Sequence, residues 1–244
     1  MLPAIIPVLR DNLYRGDVHT RRGVCIGLTE VISCSNKQNI DKYLNILVKA
    51  VQDALCDEDD GVREIAASCF QSLYSLVGNR AMDEVVPVLL IAMESGGSDE
   101  SAKARALNGL TGILSIKSRE LLPYLIPRLL QRPITKSHAD ALGSIATVTG
   151  STLHMHFSSI IPALISELAG FFETVVDEEE KEREESIRDC AREVFGNVQE
   201  AGVNWLVSEI SSKCGNDKEG IRKESCWMLQ AVVEERECLL ILLT

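Results

Sequence analysis

The chain has 244 residues, 45% hydrophobic and 25% charged, the balance of a folded globular protein rather than a disordered one. Aromatic residues are only 5%, and glycine and proline are few (16 and 7), which argues against a β-rich fold and for helices. A net charge of −11 excludes indiscriminate nucleic-acid binding, because neutralising phosphate needs clustered Lys and Arg.

The chain reads as about six helix pairs in succession. The first pair, 1–36, carries Pro7 in its first helix and Arg22 near the start of its second. The second, 37–80, shows the clearest periodicity. Leu44, Leu47, Val48, Val51 and Leu55 form one apolar stripe, and Ile65, Ala66, Cys69, Phe70, Leu73, Leu76 and Val77 form another. Asp59, Asp60 and Gly61 read as turn and cap residues before the second stripe, which holds Arg63, and Gly78 follows it. The third pair, 81–118, has Pro87 and Arg105, with Gly96–Gly97–Ser98 as its turn. The fourth, 119–153, has Pro127, with His138 where the other pairs place arginine. The fifth, 154–202, has Pro162 and Arg188, and an insertion at Thr174–Glu185. The sixth, 203–244, has Arg222 and Trp227, the latter read as core.

Successive prolines lie 80, 40 and 35 residues apart, and the second-helix bases 41, 42, 33, 50 and 34 apart. A two-helix unit of this length cannot bury its apolar faces alone, so such units stack. Proline recurring in a first helix is a kink or a first-turn residue, since in an ordinary helix interior it costs roughly 3 kcal/mol. The period and the Pro and Arg positions fit HEAT repeats better than tetratricopeptide or ankyrin repeats. The predicted fold is all-α: one array, 1–244, forming a right-handed α-solenoid, with first helices on one side and second helices on the other.

The eight cysteines (Cys25, Cys34, Cys56, Cys69, Cys190, Cys214, Cys226, Cys238) include no CxxC pair, and several fall on apolar helical positions. They read as free thiols of a reduced, intracellular protein. Met1–Leu9 has no basic n-region and no cleavage-like site, so no signal peptide is expected. The run Cys238–Leu243 is far short of the roughly 20 residues that span a bilayer. An apolar end suits a truncated next helix, a homomeric contact or an incomplete gene product better than a polar cap.

Specific segments carry a family resemblance. LPAIIPVLRDNL (2–13), RRGVCIGLTEVI (21–32), ALCDEDDGVREIAASCFQSLYSLVG (54–78), ALNGLTGIL (106–114), LLPYLIPRLL (121–130) and SIIPALI (159–165) stand in this order. Together they resemble the general control non-derepressible translational activators, over roughly residues 1–235 and a stretch in the C-terminal half of those proteins. RRGVCIGLTEVI and LLPYLIPRLL are the more specific segments, whereas the VRE opening of a second helix is generic to HEAT repeats. Glu234–Thr244 shows no match. The resemblance implies a cytoplasmic scaffold that associates with translating ribosomes. It also implies binding to the amino-acid-starvation kinase of translation initiation factor two, through the kinase's N-terminal domain, and relay of the signal of uncharged transfer RNA. The family's region similar to fungal elongation factor three is expected N-terminal to this stretch. No kinase-contacting residue is carried over.

No catalytic, cofactor-binding or metal-binding residue is assigned. His154 and His156 stand two apart, diverge on a helix and have no cysteine at a helpful spacing. The Gly96–Gly97–Ser98 turn lacks the Gly-Lys-Ser/Thr of a phosphate loop, and no GxSxG is present. Asp57–Asp60 suits the N-terminus of the next helix. Arg22, Arg63, Arg105, Arg188 and Arg222 are expected to be structural, pairing with acids of turns such as Asp59, Asp60 or Asp217. The run DEEEKEREE, 177–185, reads as a solvated loop or frayed helix end, or as a contact for a basic partner.

The charge is uneven: residues 1–150 hold 16 bases and 17 acids, and 151–244 hold 9 and 19. Residues 101–138 carry seven bases against one acid, Glu120. Lys117, Arg119, Arg128, Arg132 and Lys136 form the candidate partner-binding patch, for ribosomal RNA or an acidic protein surface. Arg128 and Arg132, four apart, are expected to share a helix face, so that reversing both leaves the helix content unchanged.

The expected protein is a non-enzymatic scaffold that engages other proteins and the ribosome, without membrane, cofactor or small-molecule substrate. One alternative is a generic HEAT adaptor of the nuclear-transport or phosphatase type, binding peptides in a concave groove. Its mark would be rows of Trp and Asn, and the chain has only Trp205 and Trp227. An enzyme would need a pocket joining distant residues such as His138 and Cys190.

Overall fold

The structure is a computed structural model. It describes the backbone of residues 2–95, 100–172 and 177–242, and the side chains of 4–93, 101–172 and 177–235. The expected turn at 96–98, the first residues of the insertion and the side chains of the apolar tail lie outside the described residues. Every regular element that is described is helical. The chain divides into two compact units, Met1–Lys117 and Ser118–Thr244.

The first unit holds α1 (Leu2–Arg15), α2 (Val18–Ser33), α3 (Lys37–Asp41), α4 (Leu44–Leu55), α5 (Asp60–Val77), α6 (Asn79–Ser95) and the first part of α7 (Glu100–Leu129). Short acceptors set the starts. Asp17 accepts from the Thr20 amide, Asn36 from Asn39 and Asp59 from Val62, each satisfying an amide that the first turn leaves without a partner. Gly78 ends α5 at φ 68°, a left-handed conformation that glycine adopts without a Cβ penalty.

The two stripes read from sequence face inward. Leu44, Leu47, Val48, Val51 and Leu55 of α4 are buried, as are Ala66, Cys69, Phe70, Leu73 and Val77 of α5. Ile65 and Leu76 sit half-buried at the stripe's edges. Burying each large apolar side chain contributes about 1.5–3 kcal/mol. α1, α4 and α6 pack in succession, and α2 packs on α5 behind them. α7 comes closer still: a Cβ on Gly109 would lie 2.5 Å from the Leu55 carbonyl oxygen, so only glycine fits that crossing.

α7 is broken at Lys117, where the backbone leaves helical geometry (φ −135°, ψ 44°). Its second part opens the second unit, followed by α8 (Lys136–Leu153), a 3-10 turn (His154–His156), α9 (Phe157–Phe171), α10 (Glu178–Gly196), α11 (Glu200–Ser211) and α12 (Glu219–Leu242). α8, α10 and α12 pack side by side, and α9 packs on α11 and α12. Phe157 and Phe195 are fully buried. Pro7, Pro87, Pro127 and Pro162 all lie inside helices, α1, α6, α7 and α9.

The acidic run is an ordered helix start, not a loop or frayed end. Asp177 caps α10 by accepting from the Glu180 amide, and Glu178, Glu179 and Glu180 occupy the first turn. Carboxylates there are favoured by the positive end of the helix dipole, which explains why so dense a cluster folds. The chain is an α-solenoid of HEAT-type helix pairs, and no helix among the described residues is long and apolar enough to cross a membrane.

Tyr14 ties α1 to α4 by donating its phenol to Asp53, whose other oxygen accepts from Lys49 at 3.2 Å. That bond, with burial second, raises the Tyr14 pKa from 10.0 to about 12. A raised value means that the fold holds the neutral phenol. The stabilisation is full below pH 10 and is lost as pH rises through 12. The urea midpoint of the first unit is therefore expected to fall across that window, and to fall less in Tyr14→Phe. Equal slopes for the two proteins would show that the bond does not couple to folding.

Candidate functional site

The second-helix arginines do not all do the same thing. Arg22 grips Asp59 with both arms of its fork, at 2.8 and 2.9 Å, across 37 residues of sequence. Its neighbour Arg21, which the sequence reading passed over, grips Asp57 in the same way at 2.8 and 3.0 Å. Both link α2 to the turn before α5. The doublet Arg21-Arg22 set one period before Asp57–Asp60 was the legible sign. Arg63 is buried and stays at home: it pairs with Asp60 of its own helix and donates to the Asp57 carbonyl. Arg222 likewise donates to the carbonyls of Asn216 and Asp217 at 2.8 Å, rather than to the Asp217 carboxylate. Arg105 bonds the Ser101 hydroxyl one turn back.

Arg188 joins helices. It bonds Glu184 on α10 at 2.8 Å and the buried Glu224 on α12 at 2.9 Å, and its guanidinium lies 4.4 Å from the Trp227 ring. Arg192 approaches the same ring at 5.7 Å. Trp227, half-buried, is thus the seat of a cation–π stack rather than plain core.

A carboxylate that the sequence reading missed organises the second unit. Glu167 on α9 is 5% exposed and accepts three bonds: from Arg132 Nε at 2.8 Å, Arg183 at 2.7 Å and the Ile134 amide at 3.1 Å. Arg132 also donates to the Ser166 carbonyl at 2.9 Å, and Arg183 lies 4.7 Å from the Phe171 ring. Three segments meet here: the 130–135 loop, α9 and α10. The available signal was Glu167 as the one charged residue of a largely apolar helix, a pattern that calls for partners if the residue is buried.

This changes the basic centre. α7 ends at Leu129, so Arg132 lies beyond it and shares no helix face with Arg128. Arg132 is committed to Glu167, and reversing it would set a like charge against a buried carboxylate. Lys136 pairs with Glu182 at 3.3 Å, with both side chains exposed, an arrangement worth about 0.2–1 kcal/mol. Lys117 belongs to the first unit and lies 5.8 Å from the Tyr74 ring. Arg119 and Arg128 are exposed, on the two edges of the solvent side of α7. Among the described residues neither forms an ion pair, and Arg128 stacks on Tyr124 at 4.5 Å.

No described feature has the form of a catalytic centre. Among the described residues no three His, Cys, Asp or Glu side chains converge as metal ligands would. His154 instead tilts against Trp205, their rings 6.3 Å apart. Cys190 is buried, and burial pushes its thiol well above the ordinary cysteine range, the opposite of an activated nucleophile. Cys25 and Cys69 are also buried, at about 11 and about 12 for the same reason.

Residues 121–240 match the family described as "Stalled ribosome sensor GCN1-like, HEAT repeats", so the match runs on past Glu234, where the sequence reading had expected it to stop. These residues are GCN1-like HEAT repeats. The GCN1 likeness extends over most of the chain. It is 34% identical to the eIF-2-alpha kinase activator GCN1 of Dictyostelium discoideum over 94% of its length. It is 37% identical to the protein of that name in Saccharomyces cerevisiae over 88%. In each case the chain spans only 8% of the relative's own length. Among solved structures, karyopherin Kap121p bound to Nup53p aligns with 96% of this chain and 25% of its own, at a TM-score of 0.47 and 13% identity.

Proposed function

We propose that this GCN1-like segment is a non-enzymatic cytoplasmic scaffold in translation control. It engages the ribosome and, with the rest of a GCN1-type assembly, the kinase that responds to amino-acid starvation. As one array of helix pairs it would hold partners at a set separation and raise their effective concentration. The observation that supports a ribosomal contact is the exposed Arg119 and Arg128, free of carboxylates in a chain rich in them. Arginine in that state is suited to phosphate oxygens. Lys117, Lys136 and Arg132 are secondary, each already engaged within its own unit.

The test is co-sedimentation with ribosomes across a salt series. Arg119→Glu with Arg128→Glu is expected to weaken binding at least tenfold at low salt and to lower the slope of log K against log salt by about 2. Circular dichroism should be unchanged, since both side chains are exposed and the Arg128 stack on Tyr124 lies within one helix. Equal sedimentation of variant and parent would remove these arginines from the ribosomal contact. Capture of the kinase by its N-terminal domain tests the second partner separately.

A further inference from the structure

The α1–α2 layer has an apolar side turned away from α4 and α5. On α2, Arg21, Cys25, Leu28 and Ile32 face α5: Arg21 reaches Asp57, and the other three are buried. His19, Gly23, Ile26 and Glu30 recur at i, i+4, i+7 and i+11 on the opposite side of the helix. All four are exposed, Ile26 at 53%, and nothing lies within 4 Å of where a Cβ on Gly23 would stand. On α1, Tyr14 faces α4 through Asp53, while Ile5 and Val8 stand on the other side, 39% and 58% exposed. Leu9 holds α1 beside α2, 3.4 Å from where a Cβ on Gly27 would stand, so both stripes belong to one face. Clustered apolar groups on a folded surface mark a place of contact.

We propose that this face is a homodimer interface, in which α2 packs antiparallel on α2 of a second copy of this chain. The stripe is complementary to itself. A two-fold axis through its middle, between residues 24 and 25, sets residue 19 against 30 and residue 23 against 26. The Ile26 side chain of each copy then enters the gap above the partner's Gly23. The His19 ring N–H of each copy donates to the carboxylate of the partner's Glu30. Glycine lets helices approach closely, as Gly109 does against Leu55 within this chain. Ile5 and Val8 carry the apolar area on to α1. A partner of another sequence would have to offer these four groups in the same order, whereas a second copy offers them by symmetry. The face includes neither Arg119 nor Arg128, so its test is independent of the ribosomal one.

Sedimentation equilibrium of the full chain across the micromolar range is the experiment. The expected result is a reversible passage from one chain mass to two as concentration rises. His19→Glu sets like charges against each other twice across the axis and weakens the dimer by about tenfold or more. Glu30→Lys removes both acceptors and weakens it as well. An equal mixture of these two single variants dimerises again, because each side chain then meets one that complements it. Ile26→Glu abolishes the dimer. Circular dichroism of every variant should match the parent, since the substituted side chains are exposed. Four results would overturn the proposal: one chain mass at every concentration, a dimer that His19→Glu and Ile26→Glu leave intact, a mixture of the single variants that stays monomeric, or association that runs on past two chains.

Discussion

Glu167→Ala is expected to destabilise the second unit by about 3–5 kcal/mol, the range for removing one partner of a buried ion pair. Glu167 is the one carboxylate shared by Arg132 and Arg183, and it also takes the Ile134 amide. Without it, Arg183, 27% exposed beside Phe171, loses its ion-pair partner among the described residues. Arg132, 54% exposed, can turn to water, so the cost falls mainly on Arg183 and on the 130–135 loop. Urea denaturation followed by circular dichroism would measure it. Removing the charges together should recover part of the loss, so Glu167→Leu with Arg183→Met is expected to be more stable than Glu167→Ala. A loss below about 1 kcal/mol, the scale of surface pairs, would show that water screens the cluster.

The second large effect is a contrast of sign between two identical substitutions. Gly23 lies in α2 with nothing within 4 Å of where a Cβ would stand. Gly23→Ala is expected to stabilise by about 0.5–1 kcal/mol, the ordinary helix-propensity gain. Gly150 lies in α8, and a Cβ there would clash with the Asn197 carbonyl oxygen. That atom is backbone and cannot swing aside, so α8 and the end of α10 must separate. Gly150→Ala is expected to destabilise by about 1–3 kcal/mol, as overpacking does. Thermal unfolding of both variants checks the pair. A stabilised Gly150→Ala would mean that the α8–α10 approach is slack.

The helices were legible because period and punctuation agree. In 44–78 the apolar spacing, the Asp59 cap and the Gly78 stop all point to the same two helices, and α4 and α5 follow. The family was legible in segments such as RRGVCIGLTEVI, whose RR turned out to bind the DEDD of the next turn. The basic patch was legible only as composition. Counting charges between 101 and 138 cannot tell Arg128, which faces solvent, from Arg132, whose partner lies 35 residues away. Arg183 was hidden for the converse reason. Seven acids surround it in sequence, yet only its position on α10 turns it towards Glu167. Partner choice across helices depends on how they are stacked, and a one-dimensional pattern carries no such information.

The ion pairs that join neighbouring helices have a mechanical consequence. Arg21–Asp57, Arg22–Asp59, Arg132–Glu167 and Arg188–Glu224 connect partners 35–37 residues apart, each tying a repeat to the one after it. Pulled from its ends, either unit would load these links in series. Such a chain yields in steps, one layer at a time, and can re-form from whichever layers stay closed. An array of such layers stretches by fractions of its length, where a single-core globule holds rigid and then fails outright.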